Sequence, residues 1–429
     1  MRGKTGLLAI GIIICGLAIK FYFIGAFNSQ GAYEAKNAFL NNGDAGHYLQ
    51  IAKHIGKFHE YSDLDKKGLS ENATWRPPLW PFLLSPALLL TNNLLIVVIL
   101  KTIFETALIL FSLLFIKKRS GRSFKFVIPF LFLLLEPHYL KYSVTFLSES
   151  LTAVLILLLA VLFVYDDRSL RSGLRISVLA ALIILCHPVA VFFIATLFSV
   201  HFFITARKNL RDAFLQALLF IGLVGSWGLR NELSFHKGWY LTASQGAVFS
   251  KGWNEQVVSD FTNTQGDNAD ESINLKFLTK ESYASASGSV LDMGKFYRKG
   301  TIAYIEKIGF FERLKIIYVK LRSNFNPFPE TPKEGWLEKS AIVLRGLWLL
   351  VFFQSILLVV KRVFYRKTVN SRVLIVVLSV LSGQLLMAIL IYTGLRFNAI
   401  YGLCLLACFL FLNLDILTKI YKKTQCAFH

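Results

Sequence analysis

Long apolar runs separated by short cationic clusters dominate this 429-residue chain. A membrane-crossing helix needs about 20 apolar residues, and ten segments reach or approach that length. These segments are residues 5–27, 94–116, 126–144, 149–165, 176–187, 189–205, 213–228, 341–360, 373–393 and 398–415. The pattern therefore predicts an all-α protein that crosses a bilayer many times.

The distribution of charge supports this interpretation. The formal net charge is +21, but only 17% of the residues are charged, below the share of roughly 25% in a typical soluble domain. The positive residues lie between the apolar runs, as the positive-inside rule describes for cytoplasmic connectors. This distribution argues against a nucleic-acid-binding protein. The clusters lie at 117–125, 168–175, 207–211, 361–372 and 419–423.

Placing every cluster in the cytoplasm gives a topology with both termini inside. The chain then divides into an N-terminal membrane domain (1–228), a large outer loop (229–340) and C-terminal membrane helices (341–429). A first outer loop spans residues 28–76. The apolar stretch 77–90 has only about 14 residues, short for a crossing, so we interpret it as interfacial or re-entrant. Ten crossings are predicted, with eleven as the alternative.

The first outer loop contains an amphipathic helical pattern. The polar residues Lys53, His54 and Lys57 face away from its apolar side, which suits a helix on the outer membrane surface. Asp44 precedes this helix, either as its N-cap or as a functional carboxylate. The apolar positions are Tyr48, Ile51, Ala52, Ile55 and Phe58.

A proline-rich segment follows at residues 75–84 and reads Trp-Arg-Pro-Pro-Leu-Trp-Pro-Phe-Leu-Leu. Its three prolines oppose a regular helix start. Arg76 lies between Trp75 and Trp80, aromatic residues typical of the membrane interface. An arginine there either snorkels to lipid phosphates or binds a substrate phosphate with its planar fork.

Several short motifs together resemble one enzyme group. Asp44 with a Tyr four residues later, the segment from Arg76, and Ser-Glu-Ser-Leu at 148–151 are followed by 226–231, 244–246 and 251–254. The last motif is Gly-Leu-Arg-Phe at 394–397. This order is similar to that of polytopic glycosyltransferases with the GT-C fold, closest to glycosyltransferase family 39. That family and its bacterial relatives form a group that includes the protein O-mannosyltransferases and the lipid A aminoarabinose transferase.

The resemblance implies a bundle of about ten or eleven transmembrane helices with an outer-face amphipathic helix and a large outer loop. It also implies an inverting cell-envelope enzyme that acts at the outer face of the membrane. The short loops and the lack of eukaryotic appendages predict a bacterial inner membrane with the site on the periplasmic side; in a eukaryote the outer side would be the lumen of the endoplasmic reticulum. Such an enzyme moves a sugar from a polyprenyl-phosphate-linked donor to a glycan, lipid or protein acceptor. Asp44 would be the base, and Arg76 and Arg396 would stabilise the donor phosphate. The acceptor-binding or supporting residues would be His47, Tyr48, Glu149 and Arg230.

Cofactors and competing functions follow from what the sequence lacks. It has neither a Walker A motif nor a dinucleotide fingerprint, and its five cysteines have no metal or disulfide spacing. A divalent metal on Asp44 and Glu149 stays open, because two carboxylates do not specify one. A polysaccharide or O-antigen polymerase would instead use loop arginines without an essential Asp44. A lipid-linked-glycan flippase or transporter would predict internal repeats.

A few further expectations concern the predicted spans and the large loop. Lys101 and Glu105, one helical turn apart, are predicted to pair. Pro137 is expected to kink its span, and His187 to lie in a short turn between two spans. Residues 259–292 are rich in small polar residues, which suggests a lid over the acceptor site.

Overall fold

The computed structural model describes residues 2–29, 33, 43–120, 133–134, 136–167, 169–259, 288–325, 353–354, 357, 371–391 and 400–408. This part of the chain forms 14 α-helices and contains no strand. Four of the described helices are long and apolar enough to cross a membrane, by length and composition. They are Leu94–Ile116, Pro188–Ala206, Leu210–Phe235 and Ser371–Leu390. The all-α membrane architecture predicted from the sequence agrees with these findings.

The helices are numbered here in chain order. The first seven are α1 (Arg2–Ser29), α2 (Asp44–Phe58), α3 (Leu79–Leu90), α4 (Leu94–Ser120), α5 (Pro137–Ser143), α6 (Glu149–Val164) and α7 (Leu170–Cys186). The others are α8 (Val191–Ala206), α9 (Leu210–Phe235), α10 (Gln245–Gly252), α11 (Gln256–Ser259), α12 (Val290–Lys307), α13 (Phe310–Phe325) and α14 (Ser371–Leu390). Short 3₁₀ turns form at Asn72–Trp75 and Pro188–Ala190.

One end of the bundle collects the cationic connectors. Arg372, at the start of α14, donates to the carbonyls of Val164 at 3.1 Å and Asp166 at 2.5 Å, just where α6 ends. Arg119, in the cationic cluster 117–125, lies 3.7 Å from Asp167, which directly precedes the cluster 168–175. Two connectors predicted to face the cytoplasm therefore lie at the same end of the bundle.

The first outer loop lies at the opposite end, where α6 begins. The Trp80 indole nitrogen donates to the Phe146 carbonyl at 2.7 Å. The Tyr48 hydroxyl lies 3.2 Å from the Ser148 hydroxyl, immediately before Glu149. These contacts fasten α2 and α3 to the turn between α5 and α6.

Helix α2 starts one residue earlier than a capping Asp44 would require. Gly43 occupies the N-cap position with φ 90°, and Asp44 is the first helical residue. The expected orientation of His54 was wrong: its side chain is buried, and its Nδ1 donates to the Leu64 carbonyl at 2.6 Å. The loop after α2 folds back over that face, which local periodicity does not predict.

Helix α3 begins inside the proline run, contrary to expectation. Pro78 is its N-cap residue, and the first backbone hydrogen bond joins the Phe82 N–H to the Pro78 carbonyl at 3.2 Å. Pro81 lies in the first turn, where a backbone N–H needs no helical partner. Twelve residues extend about 18 Å at about 1.5 Å each, too short to cross a bilayer core of about 30 Å.

Two other helix boundaries differ from the expectation. Pro137 does not kink a continuous helix; it opens α5, and Glu136 caps it by accepting from the Tyr139 N–H at 2.5 Å. The span predicted to end at 228 continues as α9 to Phe235. Its polar last turns find partners outside the helix, because the Asn231 amide donates to the Tyr240 carbonyl at 3.0 Å.

The described part of the large outer loop is also helical. Helices α10 and α12 touch backbone to backbone, because a Cβ added at Gly246 would lie 1.8 Å from the Gly294 carbonyl oxygen. Glycine is therefore required at this crossing. Most of the expected lid, residues 259–292, lies outside the described residues.

Lys101 and Glu105 form the expected buried pair within α4. The Lys101 Nζ and Glu105 Oε1 atoms lie 3.3 Å apart, and both side chains are almost fully buried. Lys101 also donates to the Ser150 hydroxyl at 2.8 Å and to the Tyr142 carbonyl at 3.1 Å. Ser150 in turn donates to Glu105 at 2.8 Å, so α4 and α6 share one polar cluster.

A second buried lysine joins this cluster from the first helix. Lys20 is fully buried, and its Nζ donates to the Tyr139 hydroxyl at 2.7 Å and to the Thr106 hydroxyl at 3.2 Å. The Tyr139 hydroxyl donates to Glu105 at 3.4 Å. Charged groups from α1 and α4 thus meet inside the bundle through hydroxyl groups.

Candidate functional site

Asp44 and Arg76, which the sequence singled out, are in direct contact. Arg76 Nη2 donates to Asp44 Oδ1 at 2.5 Å, and Arg76 Nε donates to His47 Nδ1 at 3.2 Å. Asp44 and His47 are three residues apart in the first turn of α2, so both face the same side. Two neighbouring side chains therefore fix the guanidinium plane of Arg76.

His47 also contacts Asp63, a residue that was not predicted from the sequence. Because Nδ1 accepts from Arg76, a neutral His47 ring carries its hydrogen on Nε2, which donates to Asp63 Oδ2 at 3.1 Å. Asn72 also donates to that oxygen. Burial raises the pKa of Asp63, but hydrogen bonds from His47, Ser70 and Asn72 outweigh it and hold the pKa well below its usual range.

Tyr48 joins this cluster to the start of α6. The Arg76 guanidinium lies 5.5 Å from the centre of the Tyr48 ring, a cation–π distance. Burial is the main cause of a raised Tyr48 pKa, and the charges of Glu149 and Asp44 add to it while Arg76 opposes it. Tyr48 therefore stays protonated and able to donate a hydrogen bond at neutral pH.

Glu149 is buried behind Tyr48. It follows Ser148, the partner of the Tyr48 hydroxyl, and its carboxylate lies 3.7 Å from His187 Nε2. His187 lies in the expected short turn between α7 and α8. Within the described residues, no group of three or more His, Cys, Asp or Glu side chains is arranged to hold a metal ion.

A pocket of about 360 Å³ opens beside Arg76 and His47. One wall comes from the first outer loop, and the other comes from the beginning of α12. Among the described residues, Arg76 Nη1 has no hydrogen-bond partner, so this nitrogen is available to a ligand. The lining residues are His47, Asn72, Trp75, Arg76, Ser289, Val290, Met293 and Tyr297.

A polar bridge holds the two walls together. Glu71 accepts from the Ser289 hydroxyl at 2.6 Å and from the Leu291 N–H at 2.8 Å. Lys237 lies 3.4 Å from Glu71 and 2.7 Å from Asp292. Burial is the largest single effect on Lys237 and lowers its pKa, but the hydrogen bonds and charges of Asp292 and Glu71 together outweigh it and raise that pKa. Lys237 in turn lowers the pKa of Asp292.

The charge balance around the pocket is not simply cationic. Among the described residues, Arg76 is the only Lys, Arg, Asp or Glu side chain in the pocket lining. Four carboxylates and two further cations lie next to that lining in ion pairs. The carboxylates are those of Asp44, Asp63, Glu71 and Asp292, and the further cations are Lys237 and Lys295.

Arg230 lies outside this cluster and supports it from behind. Its Nη2 donates to the Tyr61 carbonyl at 3.2 Å, and its guanidinium lies 5.1 Å from the Trp227 ring centre. The Tyr61 hydroxyl donates to the Arg76 carbonyl at 3.0 Å. Arg230 thus steadies the backbone that carries Arg76. Arg396, the second expected phosphate ligand, lies outside the described residues.

The sequence carried no clear signal for Asp63, Glu71 or Ser289. Asp63 belongs to the charged stretch Asp-Leu-Asp-Lys-Lys, which has the composition of a solvated turn. Glu71 and Ser289 are 218 residues apart along the chain, so neither predicts the other.

Comparisons with protein-family models, with curated proteins and with solved structures find no match to this chain. The likeness to GT-C glycosyltransferases therefore rests on the motifs of the sequence.

Proposed function

We propose that this protein is a membrane glycosyltransferase of the GT-C type, with its active site on the periplasmic face of a bacterial inner membrane. It moves a sugar from a polyprenyl-phosphate-linked donor to a glycan, lipid or protein acceptor. The observation that carries the proposal is the contact between Asp44 and Arg76 beside the pocket. Motif residues 32 positions apart supply a base and a cation to one place, where this chemistry needs both.

The base and the cation have separate tasks in the proposed reaction. Asp44 accepts the proton of the acceptor hydroxyl, and the acceptor oxygen attacks the anomeric carbon. The bond from that carbon to the phosphate oxygen breaks, and the polyprenyl phosphate leaves with the electron pair. Arg76 stabilises the charge that develops on the phosphate. Its Nη1, which has no hydrogen-bond partner within the described part of the chain, is the nitrogen that would reach it.

Inversion sets a geometric condition on this pair. The base and the leaving phosphate must lie on opposite faces of the anomeric carbon, whereas Asp44 and Arg76 touch each other here. The donor sugar must therefore separate them when it binds. His47 keeps its contact with Arg76 Nε during that step, so the arginine stays oriented after its bond to Asp44 is broken.

The aromatic lining of the pocket suits a sugar ring. Trp75 comes from the first outer loop and packs against the apolar cluster of Ala247, Phe296 and Tyr297. Trp75 and Tyr297 both line the pocket, and Asn72 and Ser289 add polar groups to the lining. Such a mixture of flat apolar surfaces and a few polar groups is typical of small-molecule sites.

The decisive experiment is transfer by membranes containing the wild type, Asp44→Asn or Asp65→Asn. A panel of polyprenyl-phosphate-linked sugars serves as donors, and release of the polyprenyl phosphate is measured. Asp65 is an exposed carboxylate of the same loop, so Asp65→Asn is the matched control. We expect Asp44→Asn to lose about 10²–10⁴-fold in rate, as the removal of a general base does, while Asp65→Asn stays active.

Two results would contradict the proposal at different levels. Full transfer by Asp44→Asn would retain the enzyme class but remove Asp44 as the base. A folded wild type that releases polyprenyl phosphate from no donor of the panel would contradict the glycosyltransferase itself and favour a polymerase or a flippase.

A further inference from the structure

Helix α13 in the large outer loop carries an exposed apolar stripe. Phe310, Leu314 and Tyr318 follow one another at four-residue intervals, and Phe311 lies beside them with 83% of its surface exposed. At 3.6 residues per turn, these positions form one face of the helix. Four large exposed apolar side chains in one patch are unusual on a surface that faces water.

The other side of α13 rests on the end of a candidate membrane span. Lys320 is buried, and its Nζ donates to the carbonyls of Ile389 at 3.1 Å and Ile391 at 2.9 Å. These carbonyls belong to the last residues of α14 and the position after it. The Trp253 ring covers the same ammonium at 4.1 Å, and its indole nitrogen donates to the Leu390 carbonyl at 3.3 Å.

These contacts set the depth of α13 relative to the membrane. The end of a membrane-crossing helix lies near the boundary between hydrocarbon and headgroups, and α13 touches the end of α14 directly. The first outer loop lies at this same end, because Arg372 ties the beginning of α14 to the end of α6. The apolar stripe therefore lies at the level of the outer leaflet.

The cations of α13 suit the same level. Lys315 and Arg322 lie along one border of the stripe, and Arg313 lies along the other, by their helical angles. Both Lys315 and Arg322 are exposed. An apolar face bordered by Lys and Arg is the pattern of a helix that lies in the membrane interface, with its cations at lipid phosphates.

We propose that α13 is a membrane-surface helix, with its Phe310–Tyr318 stripe inserted among the lipids of the outer leaflet and its cationic borders in the phosphate layer. It holds the large outer loop, and hence the α12 wall of the pocket, at a fixed height above the bilayer. This inference requires only the membrane architecture and is independent of the proposed transferase activity.

Spin-label accessibility in the full chain tests the proposal. The parent protein carries Cys15→Ser and Cys426→Ser, and single cysteines are introduced as Phe311→Cys, Tyr318→Cys or Glu312→Cys. Each variant is labelled and reconstituted in bilayers of phosphatidylcholine with a minority of phosphatidylglycerol. Glu312 is exposed on the same helix but away from the stripe, so it is the matched control. The parent without an introduced cysteine is treated with the same label and measured alongside, as the control for labelling of its remaining cysteines.

The quantity compared is the ratio of collision rates with oxygen, which concentrates in lipid, and with a water-soluble nickel complex. We expect this ratio to be several-fold higher at positions 311 and 318 than at 312. Equal ratios at all three positions, with frequent collisions with the nickel complex, would overturn the proposal and place the stripe in water. Low collision rates with both reagents at 311 and 318 would also overturn it, because another part of the protein or a second copy would then cover the stripe.

Discussion

Removing one charge from the buried pair in α4 should destabilise the whole membrane bundle. Unit charges 3.3 Å apart, as in Lys101 and Glu105, attract by about 5 kcal/mol at an effective dielectric constant of about 20. Glu105→Gln keeps an acceptor for Ser150 but leaves the Lys101 ammonium buried without its counter-charge. Breaking such a buried pair costs about 3–5 kcal/mol of unfolding free energy.

The double variant Lys101→Met with Glu105→Gln separates charge from packing. It removes both charges, so no uncompensated ion remains, and we expect it to unfold at a higher temperature than Glu105→Gln alone. Arg119→Gln in the same helix is the control. Its partner Asp167 lies 3.7 Å away at an exposed position, and exposed pairs contribute little to stability.

Buried thiols provide the assay. Cys186, Cys404 and Cys408 are buried, so a thiol-reactive dye labels them in detergent only as the protein unfolds on heating. The measurement uses a parent in which Cys15 and Cys426 are replaced by serine. If Glu105→Gln unfolds at the temperature of the parent, or the double variant unfolds at or below the temperature of Glu105→Gln, the reasoning from the buried pair is wrong.

Three further predictions concern the site and the α12 wall. Asp63→Asn should lower the unfolding free energy by about 1.5–3 kcal/mol at neutral pH, because it removes charged hydrogen bonds. The depressed folded-state pKa of Asp63 gives stability that is present above the unfolded pKa of about 3.9 and lost as the pH falls through the folded value. Denaturation of wild type and variant across that acid range should therefore converge, and parallel curves would contradict this. Glu71→Gln should speed amide exchange at the beginning of α12, measured by hydrogen exchange, whereas Glu306→Gln, an exposed change on α12 itself, should not; equal rates would argue against the bridge. Gly246→Ala should displace α12 and lower the unfolding temperature, whereas Gly222→Ala has open space around it and should leave that temperature unchanged.

Local sequence patterns predicted the four candidate spans that the described residues contain, because an apolar run of sufficient length is enough to identify one. The starts of α4 at Leu94 and of α6 at Glu149, and the turn at His187, were predicted from such runs. Helix α9 extends past its apolar part to Phe235, because Arg230 and Asn231 find partners in the outer loops. Those partners are distant along the chain, so the extension could not be predicted locally.

Only some residues of the candidate site could be singled out from the sequence. Asp44 and Arg76 were each singled out by motif, and the structure brings them into contact. Asp63, which holds His47, and Glu71, which holds α12, each act through folded loops with no periodic pattern. The orientation of His54 was wrong for the same reason, since the loop that buries it follows α2 in the chain.

The buried lysine of α1 has a consequence for the order in which the chain is assembled during synthesis. Lys101 meets Glu105 within its own helix, so α4 can leave the translocon already neutralised. Lys20 instead depends on Thr106 and Tyr139, which emerge 86 and 119 residues later. A lysine near the centre of an isolated helix opposes insertion by about 2.5–3.5 kcal/mol. Helix α1 is therefore expected to stay at the translocon, or at a shallower depth in the bilayer, until the apolar segment 126–144 with Tyr139 has been synthesised. Only then does it reach its final depth.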